Sequence, residues 1–236
     1  MRKKSITIAA TLLLIVILIL VTWKVIYYIE DKKVDTKWDI NELDLSNVNK
    51  LMIVAHPDDE TLWGGGELIN DNYLVICLTC GTNEIREKEF KEVMKKTGDD
   101  YIMLGYPDKT HGKRNDWHKH EKNIIVDLKE IIECKIWNNI TTHNPDGEYG
   151  HNQHKLINQY VTNLVEDKNK LIYFGHYYSK DKIVQVKDEL IKLDDSVMDY
   201  KRELISVYKS QGFLDDKFSQ MYPYENYITY TEWGMK

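Results

Sequence analysis

The 236-residue chain is 42% hydrophobic and 30% charged, which fits one folded domain with its own core and excludes a disordered or low-complexity protein. Its net charge of −6 is unevenly spread: residues 1–29 contribute +4 and no acid, leaving −10 on residues 30–236. An acidic body repels phosphate backbones, which argues against nucleic acid as a partner.

Residues 5–23, SITIAATLLLIVILILVTW, carry no charge. A helix of that length spans about 28 Å, close to the hydrocarbon thickness of a bilayer. Trp23, Lys24, Tyr27 and Tyr28 follow as an interfacial set and not as the small residues of a cleavage site. The expectation is one N-terminal transmembrane helix, an uncleaved membrane anchor over residues 1–29. Arg2, Lys3 and Lys4 favour a cytoplasmic N-terminus and an extracytoplasmic domain, although Lys24, Lys32, Lys33 and Lys37 on the other flank oppose that orientation. Residues 30–46 are polar and charged and read as a linker to a domain over residues 47–236.

In that domain, apolar runs alternate with amphipathic ones. Strand-like segments are KLMIVAH (50–56), YLVICLTC (73–80), DYIMLGY (100–106), KIWNNITTH (135–143) and KLIYFGH (170–176). Helix-like segments cover roughly 60–70, 84–97, 120–134, 153–167 and 194–210. This alternation predicts an α/β fold, a mostly parallel sheet with helices on both faces. Ligands of such sheets bind outside the carboxyl ends of the strands. Cys77 and Cys80 lie three apart on a predicted strand and so face opposite ways, which predicts buried apolar residues instead of a metal or redox pair. Asn139-Ile-Thr141 matches a glycosylation acceptor, a signal too short to carry weight alone.

Two strand ends concentrate ligand-type residues. The first strand runs into His56, Pro57, Asp58, Asp59 and Glu60. A helix N-terminus accounts for Asp59 and Glu60 through the macrodipole. It does not account for His56 or for adjacent acids beside a buried strand, whose repulsion a cation would relieve. The fourth strand runs into THNPDGEYGHNQH (142–154), with His143, Asp146, Glu148, His151 and His154. His151 and His154 share one side if a helix starts near Gly150. Both clusters at carboxyl ends of one sheet predict a metal site, and imidazole with carboxylate suits Zn²⁺. His118 and His120 read as surface residues.

AHPDDETLWGGG followed by GEYGHNQH resembles the PIG-L/LmbE family of zinc-dependent de-N-acetylases. LTCGTNEIREKEF (78–90), LGYPD (104–108), Lys201 and YKSQ (208–211) extend the likeness over about residues 48–212. The resemblance implies a three-layer, Rossmann-like (LmbE-like) domain that deacetylates an N-acetylglucosamine-type sugar conjugate. It implies His56, Asp59 and His154 as ligands of one Zn²⁺ (or another divalent metal), Asp58 as general base and His151 as oxyanion stabiliser or proton donor. Arg86 and Asp108 are implied as substrate contacts. Glu148 is expected to orient the metal shell, and Gly64, Gly65 and Gly66 to allow close packing beneath it. A metal-binding glycan-recognition module without turnover, or an amidohydrolase for another acyl group, are the alternatives. The anchor adds the expectation of a membrane-borne substrate, a glycolipid or envelope glycan. Residues 108–123 and the aromatic tail 215–233 match no sugar-recognition pattern, and the tail is expected either to cover the site or to belong to the core.

Overall fold

The computed structural model describes residues 2–30 and 38–234, with side chains placed for 11–25 and 38–234. A first helix, α1, covers Arg2–Glu30. Among the described residues no helix is long and apolar enough to cross a membrane, so the expected transmembrane anchor finds no support in them. Part of that expected span, residues 5–10, lies outside the residues whose side chains are described. Residues 11–25 alone would reach only about 22 Å as a helix, short of a bilayer core.

The domain proper begins with β1 (Lys50–Val54), followed by α2 (Asp59–Asn70), β2 (Tyr73–Thr79), α3 (Glu84–Thr97) and β3 (Asp100–Tyr106). A small hairpin, β4 (Lys109–Thr110) and β5 (Lys113–Arg114), precedes α4 (Glu121–Glu133) and β6 (Asn139–Thr142). Next come the short turn α5 (Gly147–Gly150), α6 (Asn152–Leu164), β7 (Leu171–Phe174) and α7 (Lys180–Val186). The chain ends with α8 (Asp195–Ile205), α9 (Leu214–Phe218), β8 (Tyr227–Thr229) and α10 (Tyr230–Gly234).

The main sheet has the order β3-β2-β1-β6-β7-β8. All its pairings are parallel except β7 with β8, which is antiparallel. The order reverses at β1, which pairs with β2 on one side and β6 on the other. That is the switch point at which open α/β sheets bind ligands, and both ligand-rich clusters fall there.

The two faces of β1 explain its unbroken apolar run. Leu51, Ile53 and Ala55 pack in one core with residues of α4 and α6, such as Ile124, Leu128, Ile157 and Val161. Met52 and Val54 pack in the opposite core with Phe90 and Val93 of α3 and Leu204 of α8. A strand covered on both faces needs apolar residues at every position. The predicted three-layer arrangement therefore forms from side-chain alternation alone.

Several local features depart from the sequence expectation. The fifth predicted helix stops at Ile205, and Lys209–Gln211 forms a separate tight turn. His120 is buried, not on the surface: it precedes α4 and meets the Tyr106 ring edge-on at 6.1 Å. Of the aromatic tail, Phe218, Met221 and Tyr222 are buried in the second cluster, and Phe218 also lines the cavity, so both expected placements occur in part. Cys77 is buried as expected, and all three cysteines are free thiols.

The glycines of α2 allow close packing, as the sequence predicts. A Cβ on Gly66 would stand 2.8 Å from both Glu225 Oε2 and Leu193 Cδ2. Glu225 has little room to yield: its Oε1 accepts from Gly66 N at 2.8 Å and Lys201 Nζ at 2.5 Å, and its Oε2 from Tyr227 Oη at 2.9 Å. Gly66→Ala is expected to destabilise the fold by about 1–3 kcal/mol through overpacking. A urea melt would show it as a lowered midpoint at unchanged slope.

Candidate active site

After Val54 the chain leaves the sheet through Ala55 and His56 and turns at Pro57, which has no N–H to continue strand pairing. Asp58 follows with φ 113° and ψ −31°, a backbone region that costs a non-glycine residue about 1–3 kcal/mol. That conformation is held by its surroundings. Asp58 N donates to Glu60 Oε2 at 3.0 Å, and Asp58 O accepts from Leu62 N at 2.8 Å. Asp59 opens α2, and its Oδ2 accepts from His56 N at 2.9 Å.

The second cluster is built on Asn144, beyond the end of β6. Its side-chain oxygen accepts from Asp146 N at 2.9 Å and Glu148 N at 3.1 Å, while its amide donates to Phe174 O and Gly175 O. Glu148 is thereby held at φ 53° with its carboxylate buried. His151 ends this turn, and α6 then carries His154 inward, fully buried.

Three atoms from these two loops converge. His56 Nδ1 lies 3.1 Å from Asp59 Oδ2, His154 Nε2 lies 3.3 Å from the same oxygen, and the two ring nitrogens are 3.3 Å apart. Ligand atoms on one face of a tetrahedron with bonds of ~2.0–2.1 Å are about 3.3 Å apart, so the triangle has the dimensions of a zinc site.

The outer partners fix which nitrogens face inward. His56 Nε2 meets Gln153 Oε1 at 2.7 Å, and His154 Nδ1 meets Glu148 Oε2 at 2.5 Å. Both acceptors require N–H donors, which leaves His56 Nδ1 and His154 Nε2 as lone-pair atoms pointing into the triangle. Three acceptors facing one another in a buried site call for a positive charge. The electrostatics agree. Burial opposes a charged His56 ring, yet Asp108 and Asp59 push it up to about 10. Burial likewise opposes a charged His154, yet Asp59 and Glu148 raise it. A divalent cation supplies that charge without a proton, so the residues fit a metal.

Two further groupings of potential ligands share these residues: His56, His151 and His154, and Asp59, His143 and His154. The His143 ring stacks on His154 at 3.8 Å, but its Nε2 accepts from Ala55 N at 3.0 Å and its Nδ1 faces Glu148 Oε2 at 3.0 Å. Both of its nitrogens are occupied, so His143 braces the site and does not compete as a ligand. Although burial pushes the other way, His143 and His154 hold the Glu148 carboxyl down at about 2.

Asp58 and His151 flank the triangle. Burial and the Asp59 charge push Asp58 up to about 8, against the pull of Arg86. His151 lies with its ring centroid 4.3 Å from that of His154 and 4.8 Å from that of His56. Neither of its ring nitrogens has a hydrogen-bond partner among the described residues. Burial and the charges on His154 and His56 push it down to about 2, so it stays neutral.

Arg86 is positioned by Asn83, whose side chain caps α3. Its Nη2 donates to Pro57 O and to Asp58 Oδ2, the latter at 3.3 Å, so it braces the acidic loop while lining the cavity. Asp108 pairs with Arg114 and lies 3.3 Å from His56 Nε2. Against burial, His56 and Arg114 keep its carboxyl well below the usual carboxylate range. The cavity over the triangle measures about 800 Å³. Asp58, Arg86, Asp108 and Arg114 give it a polar side, and Leu62, Tyr149, Leu214 and Phe218 an apolar one.

The structure thus brings His56, Asp58, Asp59, His151 and His154 together and sets Arg86 and Asp108 around them. Asn144, Gln153 and Arg114 escape sequence reasoning. Gln153 does carry one legible signal, since it sits between the two histidines of HNQH at a buried helical position. Asn144 and Arg114 carry none.

Comparison with known proteins agrees with this geometry. Residues 51–165 match the family model of PIG-L, GlcNAc-PI de-N-acetylase. An uncharacterised protein of Acanthamoeba polyphaga mimivirus is 34% identical over 152 residues, covering 57% of this chain and 64% of the relative. The match therefore spans just under two thirds of that relative's length. Among solved structures, a conserved protein of Thermus thermophilus superimposes with a TM-score of 0.55 at 19% identity, over 78% of this chain and 95% of the other. GalB, the 4-carboxy-2-hydroxymuconate hydratase of Pseudomonas putida, gives a TM-score of 0.52 at 15% identity, over 74% and 83%. These two likenesses establish the mixed α/β fold. Every candidate ligand lies within residues 51–165, the stretch that is similar to the PIG-L family model.

Proposed function

We propose that the protein is a zinc-dependent hydrolase that removes the N-acetyl group from an N-acetylglucosamine-type conjugate. The observation that carries this reading is the triangle of His56 Nδ1, Asp59 Oδ2 and His154 Nε2, with Asp58 and a neutral His151 at its edge. A zinc ion held by these three residues supplies Lewis-acid polarisation of the amide carbonyl and acidification of water. Asp58 takes the proton of the attacking water and delivers it to the leaving amine. His151, neutral and without a hydrogen-bond partner among the described residues, donates a ring N–H to the oxygen that gains charge as the carbonyl becomes tetrahedral. Arg86 keeps Asp58 facing the cavity, and Asp108 with Arg114 offers polar contacts to the sugar.

Residues 1–29 are proposed to anchor the enzyme in a membrane with the catalytic domain on the extracytoplasmic side, and the substrate is then a membrane-borne glycolipid or envelope glycan. Support comes from the sequence, in the uncharged run at residues 5–23. Retention of the full chain in the membrane pellet after an alkaline wash is the expected result. Release into the supernatant would remove the anchor.

The test of the activity uses the full chain in detergent. About one zinc per chain is expected, with stoichiometric acetate and free amine from N-acetylglucosamine conjugates. Zinc binding with no turnover on any acylated sugar would instead favour a recognition module, and turnover of longer acyl chains only would favour a different amidohydrolase. Glu148→Ala is expected to weaken metal affinity about 10- to 100-fold, as loss of a carboxylate that orients a ligand histidine does. Competition against a chelator measures it.

A further inference from the structure

Glu60 has no part in the chemistry above, yet it is among the most buried charged residues described, at 0% exposure. An acid in the first turn of α2 can favour the helix dipole from the surface, so the dipole does not explain this burial. Its hydrogen bonds do. Glu60 Oε2 accepts from Asp58 N at 3.0 Å, and Oε1 accepts from Thr61 Oγ1 at 2.6 Å and from Tyr208 Oη at 2.5 Å. One carboxylate thus grips the backbone of a residue at φ 113° and a phenol from the far end of the chain. Tyr208 is itself buried, at 2% exposure. Two positions on, Ser210 lines the cavity and is fixed to Glu89 of α3 through N–H···Oε1 at 2.7 Å and Oγ–H···Oε2 at 2.6 Å.

We propose that Glu60 and Tyr208 are positioning residues that hold Asp58 in its positive-φ conformation and tie it to the C-terminal wall of the cavity. The proposal rests on the reading of Asp58 as general base. Without the phenol, the Glu60 carboxylate keeps only the adjacent Thr61 hydroxyl on Oε1 and loses its tie to the C-terminal wall, so Asp58 N–H faces a less rigid acceptor. Asp58 then departs from its proton-transfer geometry while the metal triangle, held by Gln153 and Glu148, stays intact. The effect belongs to kcat, not to KM or to metal content.

The experiment is a double-mutant cycle on the full-length, zinc-loaded protein. Tyr208→Phe is expected to lower kcat about tenfold, in keeping with loss of one hydrogen bond to a charged group, with KM within about twofold and zinc per chain unchanged. In an Asp58→Asn background the same substitution is expected to cause no further loss. Glu60→Gln keeps the shape but sets its NH2 group against either the Asp58 N–H or the two hydroxyls that share Oε1, and is expected to lower kcat in a way that does not add to Tyr208→Phe. A Tyr208→Phe effect repeated in full on Asp58→Asn, an effect confined to KM or zinc content, or unchanged kcat in Glu60→Gln would overturn the proposal while leaving the deacetylase reading intact. Absence of wild-type turnover would instead remove the deacetylase reading, and this inference with it.

Discussion

Asp58→Asn is expected to cut acetate release about a thousandfold while zinc content and folding stay near wild type. The substitution preserves shape, the Asp58 backbone bond to Glu60 and an oxygen for Arg86, so the loop should keep its geometry. What disappears is the ability to accept a proton. Asp58 is not a corner of the triangle formed by His56, Asp59 and His154, so metal binding has no reason to follow activity downward. The environment already marks Asp58 as the less easily ionised of the adjacent acids: burial and Asp59 push it up to about 8, while Asp59 itself, facing His154 and His56, is lowered despite burial. Two neighbouring carboxyls pushed apart in this way suit one for the metal and the other for the proton. Metal analysis beside steady-state kinetics checks the prediction. A parallel loss of zinc and turnover would make Asp58 a ligand instead.

His154→Ala is expected to abolish zinc retention and turnover and also to destabilise the metal-free fold by about 3–5 kcal/mol. The stability loss follows from what His154 leaves behind. Glu148 is fully enclosed and would keep a single imidazole partner, His143, and Asp59 would lose the nitrogen 3.3 Å away. Removing one member of a buried charged group uncovers the desolvation cost of the rest. Chemical denaturation of chelator-treated wild type and variant separates this contribution from that of the metal. Equal midpoints would show that Glu148 finds another partner and that the cluster contributes little to the fold.

Much of this architecture can be read from the residues. β1, β2 and β3 are legible because strands buried on both faces need unbroken apolar runs, and α3 because Asn83 and Gly98 mark its two ends. The ligand loops are legible because doubled acids and paired histidines have little other use at the end of a buried strand. The short elements are not: β4, β5 and β8 have two or three residues each, too few to show a period. His120 escapes because a polar flank hides the packing of a single ring against Tyr106. Glu60 illustrates the limit well. Its position fits a helix start, and nothing near it in sequence announces a bond to Tyr208, 148 positions away.

The cavity wall formed by Ser210, Gln211, Phe213, Leu214 and Phe218 has a further consequence. All of it comes from beyond residue 165, whereas the triangle, Asp58 and His151 come from one stretch before it. One wall of the cavity is therefore encoded apart from the ligand loops, while Arg86, Asp108 and Arg114 line the other side from the earlier run. Substitutions at Phe213, Leu214 or Phe218 can reshape that wall without touching the triangle, whose three corners all lie before residue 165.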